Sequence, residues 1–346
     1  MDNNYKYEDW KEIIESSNLP NEVKVDRMDL VRNLYKNNVP VIVDLKHLSN
    51  LLGIKYTVLA SMIFSTSSFY REFKIPKKSG GLRTIVTPYK SLLTVQKWIV
   101  KNILSQFKIH DDAYAYVKNR NIALNAKQHI GNPEMLKIDL KDFFHTIKIP
   151  RVRELFNRLG YSKEVAGYLS NLCCLNEALP QGAGSSPIIS NIILRTLDNR
   201  LSNIASKSEI VYSRYADDLV FSGSKIPLDF EVVLTQKIND FGFKLNLKKT
   251  KFYKKGDRKL VTGVVVNSDG IRLPKSKRKQ IKKEVYYLKK YGIQDQVFRH
   301  NDVFYIDRIL GKLSFWKQIE PKNEFVLTSI IEIRNMYDKT MKNNKD

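Results

Sequence analysis

The sequence has almost no cysteine. Among its 346 residues only Cys173 and Cys174 carry thiols, and as chain neighbours they neither close a loop together nor supply a metal-ligand spacing. That excludes a disulfide-stapled scaffold and makes a reducing cytosol the expected location. Long hydrophobic runs are also missing: no uninterrupted apolar stretch of about 20 residues occurs, so no membrane span is expected. The opening MDNNYKYEDW has no apolar run of signal-peptide length, which argues against secretion. Repeats, low-complexity tracts and a dividing Pro/Gly/Ser linker are absent as well. Negative charge is in short supply, with 36 Asp plus Glu against 59 Lys plus Arg, a net +23. Such a field favours a polyanionic partner, either nucleic acid or an acidic membrane surface. No basic helix with a clean Trp/Phe/Leu face supports the membrane choice. What remains is 42% apolar and 27% charged, the balance of a folded globular chain.

The positive charge is concentrated. From Lys244 to Lys290 there are 17 basic and 3 acidic residues, a net +14. A single lysine there reads as a solvated face, but the block, interleaved with Phe252, Tyr253, Tyr286, Tyr287 and Tyr291, has the charge and rings to grip nucleic acid. Residues up to about 70 read as helical, broken at Pro20 and Pro40, with Ser49 as a cap. The segment FKIPKKSGGLRTIVTP, Phe73 to Pro88, reads as two strands around a Gly-Gly turn. Apolar residues recur at helical spacing from Leu92 to Phe107, and the part after about Ser276 is helical and basic. Strands and helices mix without regular alternation, so the expected class is α+β with a helical C-terminal part.

Two Asp-Asp pairs stand in different settings. Asp111-Asp112 follows His110 in a polar stretch and reads as a loop or helix start. Asp217-Asp218 lies in EIVYSRYADDLVFSG, between two β-prone runs, at the tip of an expected hairpin. Adjacent carboxylates repel one another, and holding both ionised beside apolar strands calls for a cation with oxygen preference. A third acid comes from MLKIDLKDFFHTI, where Leu136, Ile138 and Leu140 alternate with Lys137, Asp139 and Lys141, placing Asp139 on the face opposite the buried one in mid-strand. If that strand lies beside the hairpin, the three acids would bracket two Mg²⁺ ions roughly 3.5 to 4 Å apart. The bland alternative is a set of unrelated exposed acids.

The ordered set KIDLKDFF, LPQGAGSSP and Tyr215-Ala216-Asp217-Asp218 resembles the polymerase motifs of reverse transcriptases, over roughly residues 70 to 270. The resemblance implies a right-hand polymerase fold, with an N-terminal helical region over 1–69, fingers and palm over 70–266 and a helical basic thumb over 267–346. It implies that Asp139, Asp217 and Asp218 hold the catalytic metals. Phe144 matches the bulky gate that rejects a nucleotide 2′-hydroxyl, and Asp142 and the Gln181-Gly182 pair fall on the nucleotide-binding side. Lys77, or its neighbour Lys78, and Arg83 resemble the hairpin that grips the triphosphate, where cations offset phosphate charge. Lys249, with Lys248 as the alternative, matches the lysine that gives a proton to the leaving pyrophosphate.

Asn125-Ala126-Lys127-Gln128-His129 and Val261-Thr262-Gly263 match the NAxxH and VTG motifs of retron reverse transcriptases. In that family Asn125, His129, Val261, Thr262 and Gly263 would serve RNA binding. The resemblance implies copying of a structured noncoding RNA from the 2′-hydroxyl of a guanosine in the same RNA, giving branched msDNA. The expected partners are that RNA and its msDNA, dNTPs, a separate effector in anti-phage defence, and a host RNase H in trans, with no membrane. The residues after Val266 suffice for a thumb and not for a nuclease domain. The rivals are another bacterial reverse transcriptase, such as a group II intron type, or an RNA- and msDNA-binding scaffold that restrains a toxin.

Overall fold

The computed structural model describes residues 6–76 and 80–343. Along the chain, α1 (Tyr7–Glu15), α2 (Asn21–Lys36), α3 (Leu45–Leu52) and α4 (Tyr56–Phe64) lead to the strands β1 (Tyr70–Pro76) and β2 (Leu82–Pro88). Next come α5 (Lys90–Asn102), α6 (Ile122–Lys127), β3 (Glu134–Asp139), α7 (Phe143–Thr146), α8 (Ile149–Arg158), α9 (Lys163–Cys173) and α10 (Ser186–Lys207). They are followed by β4 (Val211–Tyr215), β5 (Asp218–Gly223), α11 (Phe230–Asp240), β6 (Lys251–Tyr253), β7 (Lys259–Val261), β8 (Val264–Val266) and β9 (Ile271–Arg272). The chain closes with α12 (Lys275–Tyr291), α13 (Ile293–His300), α14 (Tyr305–Ile319) and α15 (Glu324–Asn343). Proline breaks the early helices as the sequence predicts, Pro20 capping α2. Ser49 is not a cap. It lies buried inside α3, and Asp44 caps that helix by accepting the His47 N–H at 2.7 Å. An acid with its side chain free at the first turn outcompetes a serine whose hydroxyl is turned back to the Lys46 carbonyl.

Two units are distinguishable, one formed by Met1–Lys118, Leu140–Leu201 and Val232–Asn246, the other by Asn119–Asp139, Ser202–Glu231 and Leu247–Asp346. In the first, α5 and α9 pack through Leu92, Val95, Ile99, Leu169 and Leu172, all fully buried or nearly so. Gln96 is fully buried in this core with both amide hydrogens and its oxygen hydrogen-bonded. Its Nε2 donates to Tyr70 Oη at 2.8 Å and to the Leu172 carbonyl at 2.9 Å, while its Oε1 accepts the Gly184 N–H at 2.9 Å. A buried amide left unmatched costs about 1–3 kcal/mol, so this residue fixes β1, α9 and the segment before α10 to one another.

The second unit holds a four-stranded antiparallel sheet in the order β4-β5-β3-β6 and a three-stranded sheet in the order β7-β8-β9. Helix α12 buries Ile281, Val285 and Leu288, spaced at one helical face, against Ile306, Ile309, Leu313 and Trp316 of α14, and leaves its lysines outside. Burial of each such side chain contributes roughly 1.5–3 kcal/mol, which is what makes so basic a helix stable. The same core reaches α6 through Ala123 and Ala126 and the four-stranded sheet through Met135 and Val220. Among the described residues no helix is long and apolar enough to cross a membrane.

Candidate active site

Strands β4 and β5 pair with Tyr215 opposite Asp218, so the hairpin turn consists of Ala216 and Asp217 alone. Ala216 has φ +59°, a left-handed conformation that costs an L-residue roughly 1–2 kcal/mol. The tip is held in it by Arg214, fully buried two residues earlier, whose Nη1 donates to the Ala216 carbonyl at 3.2 Å.

On its other side β5 pairs with β3, and the register sets Asp139 directly opposite Asp218. Because side chains alternate along a strand, Lys137, Asp139, Asp218 and Val220 share one face. Asp139 ends β3 instead of standing in mid-strand, and it is buried, since this face is covered as well as the apolar one. Two ammonium groups neutralise the acids. Lys137 Nζ lies 2.7 Å from Asp218 Oδ2, and Lys249 Nζ lies 3.1 and 3.0 Å from the two oxygens of Asp139. Burial pushes the Asp218 carboxyl above the ordinary carboxylate range; Lys137 opposes this through its charge and hydrogen bond, while Asp217 and Asp139 add to it. Among the described residues no three acidic, histidine or cysteine side chains are gathered as a ready cation site, the lysines being inserted instead. The donor chemistry nevertheless fits a hard divalent cation. The available ligands are carboxylate oxygens, and one of them, Asp218 Oδ1, is buried with no hydrogen-bond partner.

The family model described as reverse transcriptase (RNA-dependent DNA polymerase) matches residues 75–288. The retron Ec86 reverse transcriptase of Escherichia coli is 30% identical over 314 residues, covering 89% of this chain and 94% of its own length. The retron Ec73 reverse transcriptase of the same species is 32% identical over 308 residues, covering 81% and 94%. This chain is a retron-type reverse transcriptase. It is accordingly an RNA-directed DNA polymerase with the right-hand polymerase fold and binds an RNA template. Among solved structures, a telomerase from Candida albicans aligns with a TM-score of 0.46 at 11% identity, over 76% of this chain and 63% of that one.

The retron motifs lie at α6 and in the β7–β8 hairpin. Asn125 and His129 are completely buried, and so is Val261, so none of the three presents a side chain that RNA could touch. Helix α6 ends at Lys127, which leaves His129 just beyond it with Nδ1 2.7 Å from Ser222 Oγ and Nε2 2.7 Å from Ser213 Oγ. Thr262 and Gly263 form the two-residue turn between β7 and β8, both at positive φ, +46° and +83°. Such a turn matches the twist of the strands it joins, and the glycine meets it without strain where the β-branched threonine does not. Of the VTG residues only Gly263 is well exposed.

The residues expected on the nucleotide side belong to the first unit. Lys77 and Lys78 lie outside the described residues, and Arg83 sits on β2 opposite Ile75. Asp142 is exposed at φ +47° just before α7. Phe144 is half-buried, its ring 5.1 Å from that of Phe143 and 6.5 Å from that of Tyr116. Gln181 accepts the Val86 N–H at 3.2 Å through its backbone carbonyl, and Gly182 follows at φ +129°, so close to β2 that a Cβ would fall on the Val86 carbonyl oxygen.

Sequence reasoning missed Lys137, Arg214 and Tyr116. For Lys137 the signal was present, because it stands two residues before Asp139 and strand alternation puts both on one side. Arg214 could have been found as a charged residue in register with Tyr212, on the apolar face of its strand. Tyr116 had no signal, its meeting with Phe144 being a tertiary contact.

Proposed function

We propose that this reverse transcriptase copies part of a structured noncoding RNA into single-stranded DNA, starting from a guanosine 2′-hydroxyl of the same RNA and so forming branched msDNA. The observation supporting a competent catalytic centre is the register that sets Asp139 opposite Asp218, with Asp217 at the adjoining turn. Asp139, Asp217 and Asp218 would hold Mg²⁺, which when bound makes an attacking hydroxyl more acidic and stabilises a leaving oxygen. Lys249, 57% exposed, can leave Asp139 and give its proton to the pyrophosphate oxygen as the P–O bond breaks. Lys77 and Arg83 neutralise the triphosphate of the incoming dNTP, and Asp142, Gln181 and Gly182 line its site. Phe144 closes the space beside the sugar, so that a 2′-hydroxyl collides with its ring.

The thumb, over 267–346, binds the RNA stem through phosphates and shape, because the A-form major groove is too narrow for side chains to read. Along α12 the exposed Tyr286, Tyr287 and Tyr291 alternate with lysines, and the Tyr287 and Tyr291 rings stack at 6.0 Å. Template RNA is removed by a host RNase H, and the enzyme works in the cytoplasm with a separate effector in anti-phage defence. The test is to express the protein with its neighbouring noncoding region, with Asp217→Asn alongside, and to extract the copurifying nucleic acid. DNA joined to RNA by a linkage that a debranching enzyme cuts, found in wild type and missing in the variant, is the expected result. Unbranched DNA would move the enzyme to another priming mode, and RNA without DNA in either sample would favour a binding scaffold.

A further inference from the structure

Buried His129 has no part in the chemistry above, yet its two ring bonds reach both strands of the hairpin that carries Asp217 and Asp218. Ser213 lies on β4 opposite Val220, and Ser222 lies on β5 two residues beyond Val220, so the serines are diagonal neighbours across the ladder. Diagonal pairs on one face are about 7–8 Å apart. An imidazole with a 2.7 Å bond at each nitrogen spans that gap. Ser222 Oγ also accepts from Asn132 Nδ2 at 2.8 Å, which extends the chain of bonds to the segment following α6. Strand alternation puts Ser213 and Ser222 on the face shared with Tyr215 and Asp218. Among the described residues strand β4 is the edge of its sheet and pairs on one side only, so its ladder with β5 is its sole backbone restraint within the sheet. The hairpin tip moreover holds Ala216 in a conformation it resists. Burial lowers the pKa of the imidazole to about 3, so the ring stays neutral at working pH and offers one donor and one acceptor.

We propose that His129 is a positioning residue for catalysis, a clasp between Ser213 and Ser222 that holds the β4–β5 hairpin at the twist bringing Asp218 to face Asp139. The proposal rests on the reading of Asp139, Asp217 and Asp218 as the catalytic acids. On this account the buried histidine of NAxxH acts on the reaction rate through the hairpin and has no contact with RNA. Small displacements at a reacting centre cost up to roughly 100-fold in rate.

The test uses the full chain with Ser213→Ala, Ser213→Thr, Ser222→Ala, His129→Phe and Asp218→Asn. Melting curves select the folded variants, and Ser213→Ala, which removes one oxygen, keeps the test available if His129→Phe fails to fold. Single-nucleotide incorporation is measured on oligo(dT)-primed poly(rA), a template that needs no recognition of a structured RNA, with template affinity measured separately. The expected result is a kcat lower by roughly 10- to 100-fold in Ser213→Ala and Ser222→Ala. KM for dTTP and template affinity should stay unchanged, and Ser213→Thr, which keeps the hydroxyl, should recover the rate. Folded Ser213→Ala with wild-type kcat, or a loss confined to template affinity, overturns the clasp while a dead Asp218→Asn leaves the catalytic acids standing. An active Asp218→Asn overturns the underlying reading itself.

Discussion

Gly182 gives the sharpest test of the proposal that the Gln181-Gly182 segment lines the nucleotide site. Its φ of +129° is one that L-residues rarely adopt, and a Cβ built there meets the Val86 carbonyl oxygen, a backbone atom of β2 that cannot swing aside. In Gly182→Ala the backbone strain alone costs about 1–3 kcal/mol. Relieving the overlap means drawing the Gln181-Gly182 segment off β2, which gives up the 3.2 Å bond from the Val86 N–H to the Gln181 carbonyl. That bond is worth about 0.5–1.5 kcal/mol, so the total loss is about 1.5–4.5 kcal/mol. The first unit should then melt roughly 5–15 °C lower, as followed by circular dichroism. KM for dNTP should rise in single-nucleotide incorporation because Gln181 is displaced. Gly167→Ala is the matching control. It sits within α9 at ordinary φ, with nothing within 4 Å of an added Cβ, and should gain about 0.5–1 kcal/mol. A Gly182→Ala enzyme that melts and binds dNTP like wild type would refute this reasoning.

Three further outcomes are expected. Lys137→Met removes the cation against half-buried Asp218 and should cost about 1–3 kcal/mol at neutral pH in metal-free buffer, between the values of exposed and fully buried ion pairs. Since Asp218 holds its proton more tightly folded than unfolded, its charge costs stability above the folded pKa and the cost disappears on acidification; urea titrations should show the variant's deficit narrowing as pH falls, and a constant gap would count against the assignment. Phe144→Val should admit ribonucleotides, seen as a rise of at least about tenfold in rNTP over dNTP incorporation, and unchanged selectivity would remove Phe144 from the gate. RNA affinity should fall steeply with salt, and replacing exposed lysines of α12 by glutamine should flatten the log–log slope by about one for each phosphate left without its cation; a flat wild-type response would place the RNA elsewhere.

Much of the site is legible in the sequence because strand periodicity is a strong code. The β-prone runs around Ala216-Asp217 define the hairpin, and the alternation from Leu136 to Lys141 puts Asp139 opposite the apolar face. What the alternation cannot show is whether the second face is also covered. Here Met135 and Val220 join a core with α6 and the three-stranded sheet, so Asp139 is buried on a face that reads as polar. Burial is equally hidden for Asn125 and His129, since α6 has six residues, too few to display a helical period, and a polar side chain looks the same in sequence whether it meets water or two serines. The cap of α3 escapes the sequence because Asp44 and Ser49 are both good cap residues and only the actual start of the helix decides between them.

The two-residue turn at Ala216-Asp217 limits how this enzyme can evolve. Surface tips are ordinarily where chains accept insertions, because a longer loop costs little. This tip cannot. Adding one residue between Tyr215 and Asp218 either enlarges the turn and moves Asp217 from its place beside Asp218, or slips β5 by one against its neighbours and turns Asp218 to the opposite side of the sheet, away from Asp139. Length at this corner, where Ala216 is buried and Asp217 half-buried, is therefore constrained by the position of the carboxylates. Homologous chains should vary in length around it and not at it, as an insertion scan across residues 208–226 scored by polymerisation would show.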